Sequence, residues 1–339
     1  MITNEDPSRL SEAAGETTAP GENTEPAGAE RTLSLAPKVT LALPVRNGAA
    51  YLPAAIPAYL SQSFADFELL ISDNASTDAT EQICREFAAR DPRIRYIRQE
   101  SNIGMIPNFE AVRSAGRGDY FRWGSVDDEI GPGYLAACVA ALDADPEVVL
   151  AQGRCYDIDE HGAVLVEQPP LDTAGPDPRR RLQGLLGLHE SLDLYGVIRA
   201  DALRTVRAMP THPECDRVIL AGLALRGRFV QVTDAAFRRR VHAAQTMGVR
   251  RTSERVRIHD PKRSGFTLPA WELGFDLLRE IHRAPLTRRQ RRGCYVAMHV
   301  WLRHNYMKMA KNLVRAAIEL VGAARRRLRP ASRSAAPGA

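Results

Sequence analysis

Three short polar clusters hold the residue types from which a catalytic site could be built: Pro44-Val45-Arg46-Asn47-Gly48, Ser72-Asp73-Asn74-Ala75-Ser76-Thr77-Asp78 and Gly124-Ser125-Val126-Asp127-Asp128-Glu129. Carboxylates crowded together repel one another unless a cation lies between them. Mg²⁺ and Mn²⁺ favour oxygen ligands and are commonly shared between one or two carboxylates and substrate phosphates. The simplest ligand of three such clusters is therefore a metal-bound diphosphate, with Asp73 able to accept hydrogen bonds from a base or ribose. Each cluster also has a plainer reading. Asp127 and Asp128 can form a solvated turn ahead of a helix, where acids favour the N-terminus. Ser76 or Asp78 can cap the helix that follows them.

For these clusters to meet, the intervening chain has to return each one to the same place. Apolar runs at Val39 to Leu43, Phe67 to Ser72, Ile94 to Ile97, Tyr120 to Trp123 and Val148 to Ala151 read as buried strands. Between them, Ala49 to Ser61, the stretch from about Ser76 or Asp78 to Ala89, Ile106 to Ala115 and Tyr134 to Ala144 read as helices. In the first helix, Pro53 suits the opening turn and Pro57 strains the interior. This alternation predicts an α/β fold with a parallel sheet covered on both faces. Ligands of such sheets bind at the carboxyl ends of the strands, here after Leu43, Ser72 and Trp123.

Farther along, Pro and Arg cluster between residues 169 and 181, and after Trp271 the chain reads as mainly helical. Asn305 to Arg327 places Tyr306, Met309, Leu313, Val314 and Ile318 on one side and Lys308, Lys311 and Arg315 elsewhere. That stripe reads as core packing or as a peripheral membrane surface. Asp157-Ile158-Asp159-Glu160-His161-Gly162 lacks the third acidic ligand and the closing Glu of a calcium loop, and reads as a hairpin turn.

The 339 residues are 44% hydrophobic and 26% charged, as in ordinary globular proteins, and carry a formal net charge of +5. The first stretch is acidic, with Arg9 its only basic side chain before Arg31, so the remainder is more basic than the average. A basic surface attracts phosphates. The three clusters favour a nucleotide among such partners, and nucleic acid is not expected. The five cysteines are scattered without a CxxC pair, which argues against structural zinc and a disulfide framework. No apolar run reaches the roughly 20 residues needed to cross a bilayer, and the N-terminus lacks the order of a secretory signal. The expected location is cytoplasmic, with the inner face of a membrane as the alternative.

Taken in order, Leu43-Pro44-Val45-Arg46-Asn47, Ile71-Ser72-Asp73-Asn74-Ala75-Ser76-Thr77-Asp78, Asn102-Ile103-Gly104 leading to Asn108-Phe109, and Val126-Asp127-Asp128-Glu129 resemble a family 2 glycosyltransferase of the GT-A fold. The resemblance covers roughly Val39 to His242. It implies a Rossmann-like, mostly parallel sheet flanked by helices, with a C-terminal helical extension. The implied organisation is a disordered acidic tail over 1–36, the GT-A domain over 37–250, a mainly helical region over 251–329 and a second disordered tail over 330–339.

The resemblance also implies roles. Pro44, Arg46 and Asn47 match the loop beside the nucleoside, and Asp73 matches the acid that binds the base. Asn74, Ser76, Asp78, Asn102, Gly104 and Asn108 belong with the same nucleotide-sugar site. Asp127 and Asp128 match the last two positions of an acidic metal-binding signature whose first acid is Ser125 here. Asp127 is thus the principal ligand of a Mg²⁺ or Mn²⁺ cofactor and a contact of the nucleotide sugar. His242 matches a histidine that completes the metal site. Glu214 to Val218 resembles the segment of the catalytic base, assigned to Asp216 with Glu214 close by, and Tyr195 to Arg199 resembles the acceptor side. The implied reaction is inverting sugar transfer from a nucleotide-diphosphate sugar to a hydroxyl of a glycan, polysaccharide or lipid-linked acceptor. Two other readings stand beside it. Nucleotidyl transfer would need a Gly-rich loop near the first strand, where only Gly48 is present. A non-catalytic protein that binds nucleotide sugars or scaffolds at a membrane is favoured by Ser125.

Overall fold

The structure, a computed structural model, describes residues 36–170, 172–187, 191–242, 257–262 and 268–328, with side chains as far as residue 318. The two expected tails lie outside them but for residue 36. The chain opens with β1 (Val39–Val45), α1 (Leu52–Leu60), β2 (Phe67–Asp73), α2 (Thr80–Arg90), β3 (Ile94–Arg98), α3 (Met105–Ala115), β4 (Tyr120–Trp123), β5 (Glu129–Ile130) and α4 (Tyr134–Ala144). It continues with β6 (Val148–Ile158), β7 (Val164–Gln168), α5 (Pro178–Leu186), a 3₁₀ turn (Leu192–Tyr195), β8 (Val197–Arg199), α6 (Ala200–Thr205), α7 (Cys215–Ala224), β9 (Arg228–Arg240), α8 (Pro269–Arg283) and α9 (Arg288–Leu328).

Every residue of β2, and every residue of β1 except the half-buried Pro44, is buried. Such continuous apolar runs belong to parallel strands covered on both faces. Among the described residues the strands form one sheet in the order β3-β2-β1-β4-β8-β6-β9-β5, with β7 also on β6. β3, β2, β1 and β4 are mutually parallel, and so are β6 and β9. The short strand β8 runs antiparallel between β4 and β6. The expected α/β architecture with a mostly parallel sheet and a C-terminal helical extension is therefore present.

Two consequences position the site. Val45 pairs with Asp73 and Ala42 with Trp123, so the loops after β1, β2 and β4 leave the sheet at one edge. β5 begins immediately after Asp128 and pairs antiparallel with the end of β9, Glu129 opposite Arg238. That pairing carries His242, two residues beyond β9, back to the Asp127–Asp128 loop.

Several elements differ from the sequence-based expectation. β6 continues to Ile158 because its backbone is paired with β9 on one side and with β8 and then β7 on the other. The polar residues beyond Ala151 had masked that pairing. α1 contains Pro57 within its last turns, and Ser61 N donates to Pro57 O at 3.0 Å. α2 starts at Thr80, whose N donates to Asp78 Oδ1 at 3.1 Å, so Asp78 serves its first turn while Ser76 is engaged elsewhere. Of the segment Asp157 to Gly162, Asp157 and Ile158 end β6 and the rest forms the turn of the β6–β7 hairpin, with Ala163 N donating to Asp159 Oδ1 at 2.9 Å. The five cysteines are free and buried.

α5, α7, α8 and α9 share a core that includes Leu182, Val218, Leu273, Ile281, Met298 and Trp301. Here the expected one-sided stripe of the last helix divides. Met309 packs into this core, whereas Tyr306, Leu313, Val314 and Ile318 are exposed. The helix packs through a narrower face than its apolar content suggested.

Candidate active site

The loops after β1 and β2 are locked to each other by their own side chains. Arg46 Nη1 donates to Asn74 O and Ala75 O at 2.8 and 3.0 Å. Asn47 N donates to Ser76 Oγ at 2.8 Å, and Thr77 N donates to Asn47 Oδ1 at 2.9 Å. Gly48 N reaches Thr80 Oγ1 and Ala49 N reaches Asp78 Oδ2. Asn47 and Ala75 both adopt a positive φ of 52°, a costly conformation for residues other than glycine that such cross-bonding can hold in place. Asn74 continues the lock toward α3: its Nδ2 donates to Asn102 Oδ1 and Gly104 O, and its Oδ1 accepts from Ile103 N. Gly104 has a φ of 99°, and a side chain there would meet His259 O and the Pro261 ring at under 3 Å. Asn108 exchanges two hydrogen bonds with Ser72. The predicted nucleotide-site residues Asn74, Ser76, Asp78, Asn102, Gly104 and Asn108 thus form one framework, with Arg46 and Asn47 exposed on its surface.

Asp73 is engaged within the protein itself. Its carboxylate is fully buried: Oδ1 accepts from Ser76 N at 2.8 Å, and Oδ2 accepts from Tyr96 Oη and Arg98 Nη1 at 2.8 and 2.7 Å. Burial works against its ionised form, yet the hydrogen bonds from Ser76, Tyr96 and Arg98 outweigh it and hold its pKa below the ordinary carboxylate value. A nucleobase at Asp73 would compete with these donors, of which Arg98 is part-exposed.

At the neighbouring loop, Asp127 and His242 come together, with His242 Nε2 at 3.0 Å from Asp127 Oδ2. The Ser125 hydroxyl, standing where the acidic signature would have its first acid, donates to Asp127 Oδ1. Tyr59 Oη fixes the same loop by donating to Ser125 O at 2.7 Å. Asp128 turns inward, and its Oδ1 accepts from Arg240 N at 3.0 Å. Burial, with the charge of Asp127, pushes its pKa up to about 7. Arg240 ties the loop to the β6–β7 hairpin: its guanidinium donates to the carbonyls of Asp127, Asp159 and Glu160 and to the Glu129 carboxylate. Asp127, Asp128, Glu129, Glu160, Arg240 and His242 line one side of a cavity of about 660 Å³. The opposite wall is α1, whose Ala54, Ala55 and Ala58 leave room by their small side chains, and Tyr51 just ahead of it, whose ring lies 6.0 Å from the His242 ring.

The donor set of this cavity suits a hard divalent cation in one respect. Asp127 and His242 offer one oxygen and one nitrogen ligand, and among the described residues no group of three or more His, Cys, Asp or Glu side chains is placed to hold a metal. Phosphate oxygens would have to complete the coordination, as is usual for Mg²⁺ and Mn²⁺ at diphosphates.

Asp216 opens α7, and its Oδ1 accepts from Arg217 N at 2.9 Å. Burial pushes its pKa above the ordinary carboxylate value. Glu214 is instead held below its ordinary value: burial opposes ionisation, but Lys308, at 2.9 Å, and Arg217 prevail. Burial and the charges of Asp128, Asp127 and Asp216 push the phenol pKa of Tyr195 up. Its ring stacks on Phe237 of β9 at 5.4 Å.

Sequence reasoning missed Arg122. It is fully buried in β4 and caged by the rings of Tyr134, Phe237 and Tyr59 at 5.1, 5.6 and 6.0 Å. A lone Arg inside the buried run Tyr-Phe-Arg-Trp was its signal. The cage places a cation beneath the loop that carries Asp127 and Asp128, and cation–π contacts of this kind are worth more when desolvated.

Residues 40–206 match the model of glycosyl transferase family 2. The Mycobacterium tuberculosis protein Rv1520 is 42% identical over 106 residues, 31% of each chain. Chondroitin synthase of Escherichia coli is 31% identical over 135 residues, 40% of this chain and 19% of its own. The chain thus spans about a third of the mycobacterial relative's length. The crystal structure of Staphylococcus aureus TarS 1-349 in complex with UDP-GlcNAc superposes with a TM-score of 0.59 at 16% identity, covering 80% of this chain and 73% of that one. This likeness concerns the fold.

Proposed function

We propose, from the match of residues 40–206 to glycosyl transferase family 2, that the chain is a member of that family and moves a sugar from a nucleotide-diphosphate sugar to an acceptor hydroxyl with inversion. The observation that carries the reading is the pairing of Asp127 with His242, 3.0 Å apart, on the wall of a cavity of about 660 Å³. In this reading Asp127 and His242 would hold a divalent cation beside the diphosphate. Bound there, Mg²⁺ or Mn²⁺ would stabilise the charge that develops on the leaving group. Ser125 and Arg240 keep Asp127 and the acidic loop in place, while Asp128 serves the loop more than the cation. Arg46, Asn47 and Arg98, at the surface of the framework built by Pro44, Asn74, Ser76, Asp78, Asn102, Gly104 and Asn108, are the groups that a nucleoside would meet first. The framework around Asp73 gives them their positions.

Asp216 is the base. Its raised pKa makes it a stronger proton acceptor than an exposed aspartate, and Glu214 is neutralised by Lys308. The proton leaves the acceptor hydroxyl for Asp216, the oxygen attacks the anomeric carbon, and the bond to the diphosphate breaks on the opposite face. The acceptor is a glycan, polysaccharide or lipid-linked hydroxyl, used in the cytoplasm or at the inner face of a membrane.

Turnover of a panel of nucleotide sugars with Mn²⁺ tests this. Asp127→Ala should abolish the metal-dependent rate. Asp216→Asn should lower turnover by about 10²- to 10⁴-fold, the usual share of general-base help. Equal turnover by the native chain and both variants would overturn the assignment.

A further inference from the structure

Between Arg288 and Ile318 the last helix contains no Asp or Glu, yet carries Arg288, Arg289, Arg291, Arg292, Arg303, Lys308, Lys311 and Arg315. Part of its apolar content packs inward and part faces outward, Tyr295, Tyr306 and Leu313 being exposed on one flank. Cys294, Met298, Trp301, Met309 and Ala316 are buried. Val296, Val300, Met307, Val314 and Ile318 are 41 to 67% exposed. At about 100° per residue these five fall within a band about 40° wide, opposite the buried face. Along the helix the band runs for about 33 Å at 1.5 Å per residue. Arg292 and Arg303 lie within or beside it, and Lys311 and Arg315 flank one side.

An exposed apolar stripe whose charged neighbours on the helix are all cations has a specific complement. A second copy of the same helix would bring like charges together along the whole stripe. An oligonucleotide would answer the cations and leave the apolar side chains in water. An anionic bilayer answers both: acyl chains and glycerol backbones take the apolar stripe, and the headgroups take the guanidinium and ammonium groups. We propose that α9 lies in the plane of an anionic phospholipid surface through the stripe Val296, Val300, Met307, Val314 and Ile318. The inference does not require the transfer reaction. It does bear on it, because Lys308, on the shoulder of the same helix, holds Glu214 next to Asp216.

The test is co-sedimentation of the full chain with phosphatidylcholine vesicles, with and without phosphatidylglycerol. The native chain should pellet with the anionic vesicles and release in high salt. Each cation near such a surface contributes roughly fivefold in partition, so Arg303→Gln with Lys311→Gln should cut binding roughly 25-fold. Met307→Glu with Val314→Glu should abolish it. Both double variants should keep the nucleotide-sugar turnover of the native chain, which separates loss of docking from loss of the active site. A native chain that stays in the supernatant with anionic vesicles overturns the proposal. So does equal binding to pure phosphatidylcholine, binding to an RNA oligonucleotide in place of vesicles, or a concentration-dependent dimer broken by the Met307 and Val314 changes.

Discussion

At Asp216, the base proposed above, burial and catalysis would pull in opposite directions. Its carboxyl is harder to ionise than that of a free aspartate, so the folded state is favoured by the neutral form. That stabilisation is complete below the unfolded pKa, near 3.9, and is lost as the pH rises through the raised folded value. A residue kept ionised for its chemistry therefore costs stability at neutral pH. Asp216→Asn should raise Tm near neutrality, with the gain vanishing below about pH 4, while turnover falls. In the native enzyme the acid limb of kcat/KM should lie above the ordinary aspartate range, because turnover follows the ionised base. A Tm that is unchanged or lower in the Asn variant at neutral pH would show that burial does not disfavour this carboxylate. Arg122 makes a parallel case. Its guanidinium nitrogens Nε, Nη1 and Nη2 lack hydrogen-bond partners of ordinary geometry, and three aromatic faces stand in for them.

The elements that aim these side chains were legible in the sequence to different degrees, for physical reasons. β1, β2 and β4 with their following loops could be read directly, because a strand buried on both faces shows an unbroken apolar run and ends where polar residues must begin. α4 could be read to the residue. β8 and β9 could not: β9 alternates buried and exposed residues and is studded with Arg, and β8 is only three residues long. Their partners lie far off in the chain, and no local pattern encodes a partner. His242 was visible only through resemblance, since it depends on the β5–β9 pairing to reach Asp127. Arg240 was not singled out, although it bears the largest share of the loop's bonding. Removing its guanidinium leaves the carbonyls of Asp127, Asp159 and Glu160 and the Glu129 carboxylate without that donor. Arg240→Met should cost about 3 kcal/mol by the usual penalty for breaking a part-buried polar network. It should also weaken Mn²⁺ dependence at Asp127 more than it changes nucleotide affinity. Denaturant melts and Mn²⁺ titrations of turnover would check the two effects separately.

Across the whole chain, the helical region is joined to the loop ahead of α7 by a buried charge cluster. Asp276 of α8 is 5% exposed and meets Arg207 at 2.7 Å, Arg279 at 3.0 Å and His212 at 3.3 Å. Burial opposes its ionisation, but His212, Arg207 and Arg279 overcome that and hold its pKa far below the ordinary aspartate value. A depressed carboxylate contributes stability that is present above the unfolded pKa, near 3.9, and lost as the pH falls through the folded value. Breaking a buried ion pair by removing one partner typically costs about 3 to 5 kcal/mol. Asp276→Asn retains one acceptor oxygen and should fall at the lower end, about 3 kcal/mol near neutral pH. The same variant should lose progressively less against the native chain as the pH drops below about 4, until the two unfold together in strong acid. Because Lys308 of α9 holds Glu214 two residues before Asp216, loosening this region should also lower kcat with little change in nucleotide-sugar affinity. Melts across the acid range, paired with turnover of the same samples near neutrality, decide it. A stability difference independent of pH would mean that Asp276 acts through packing, not through its charge.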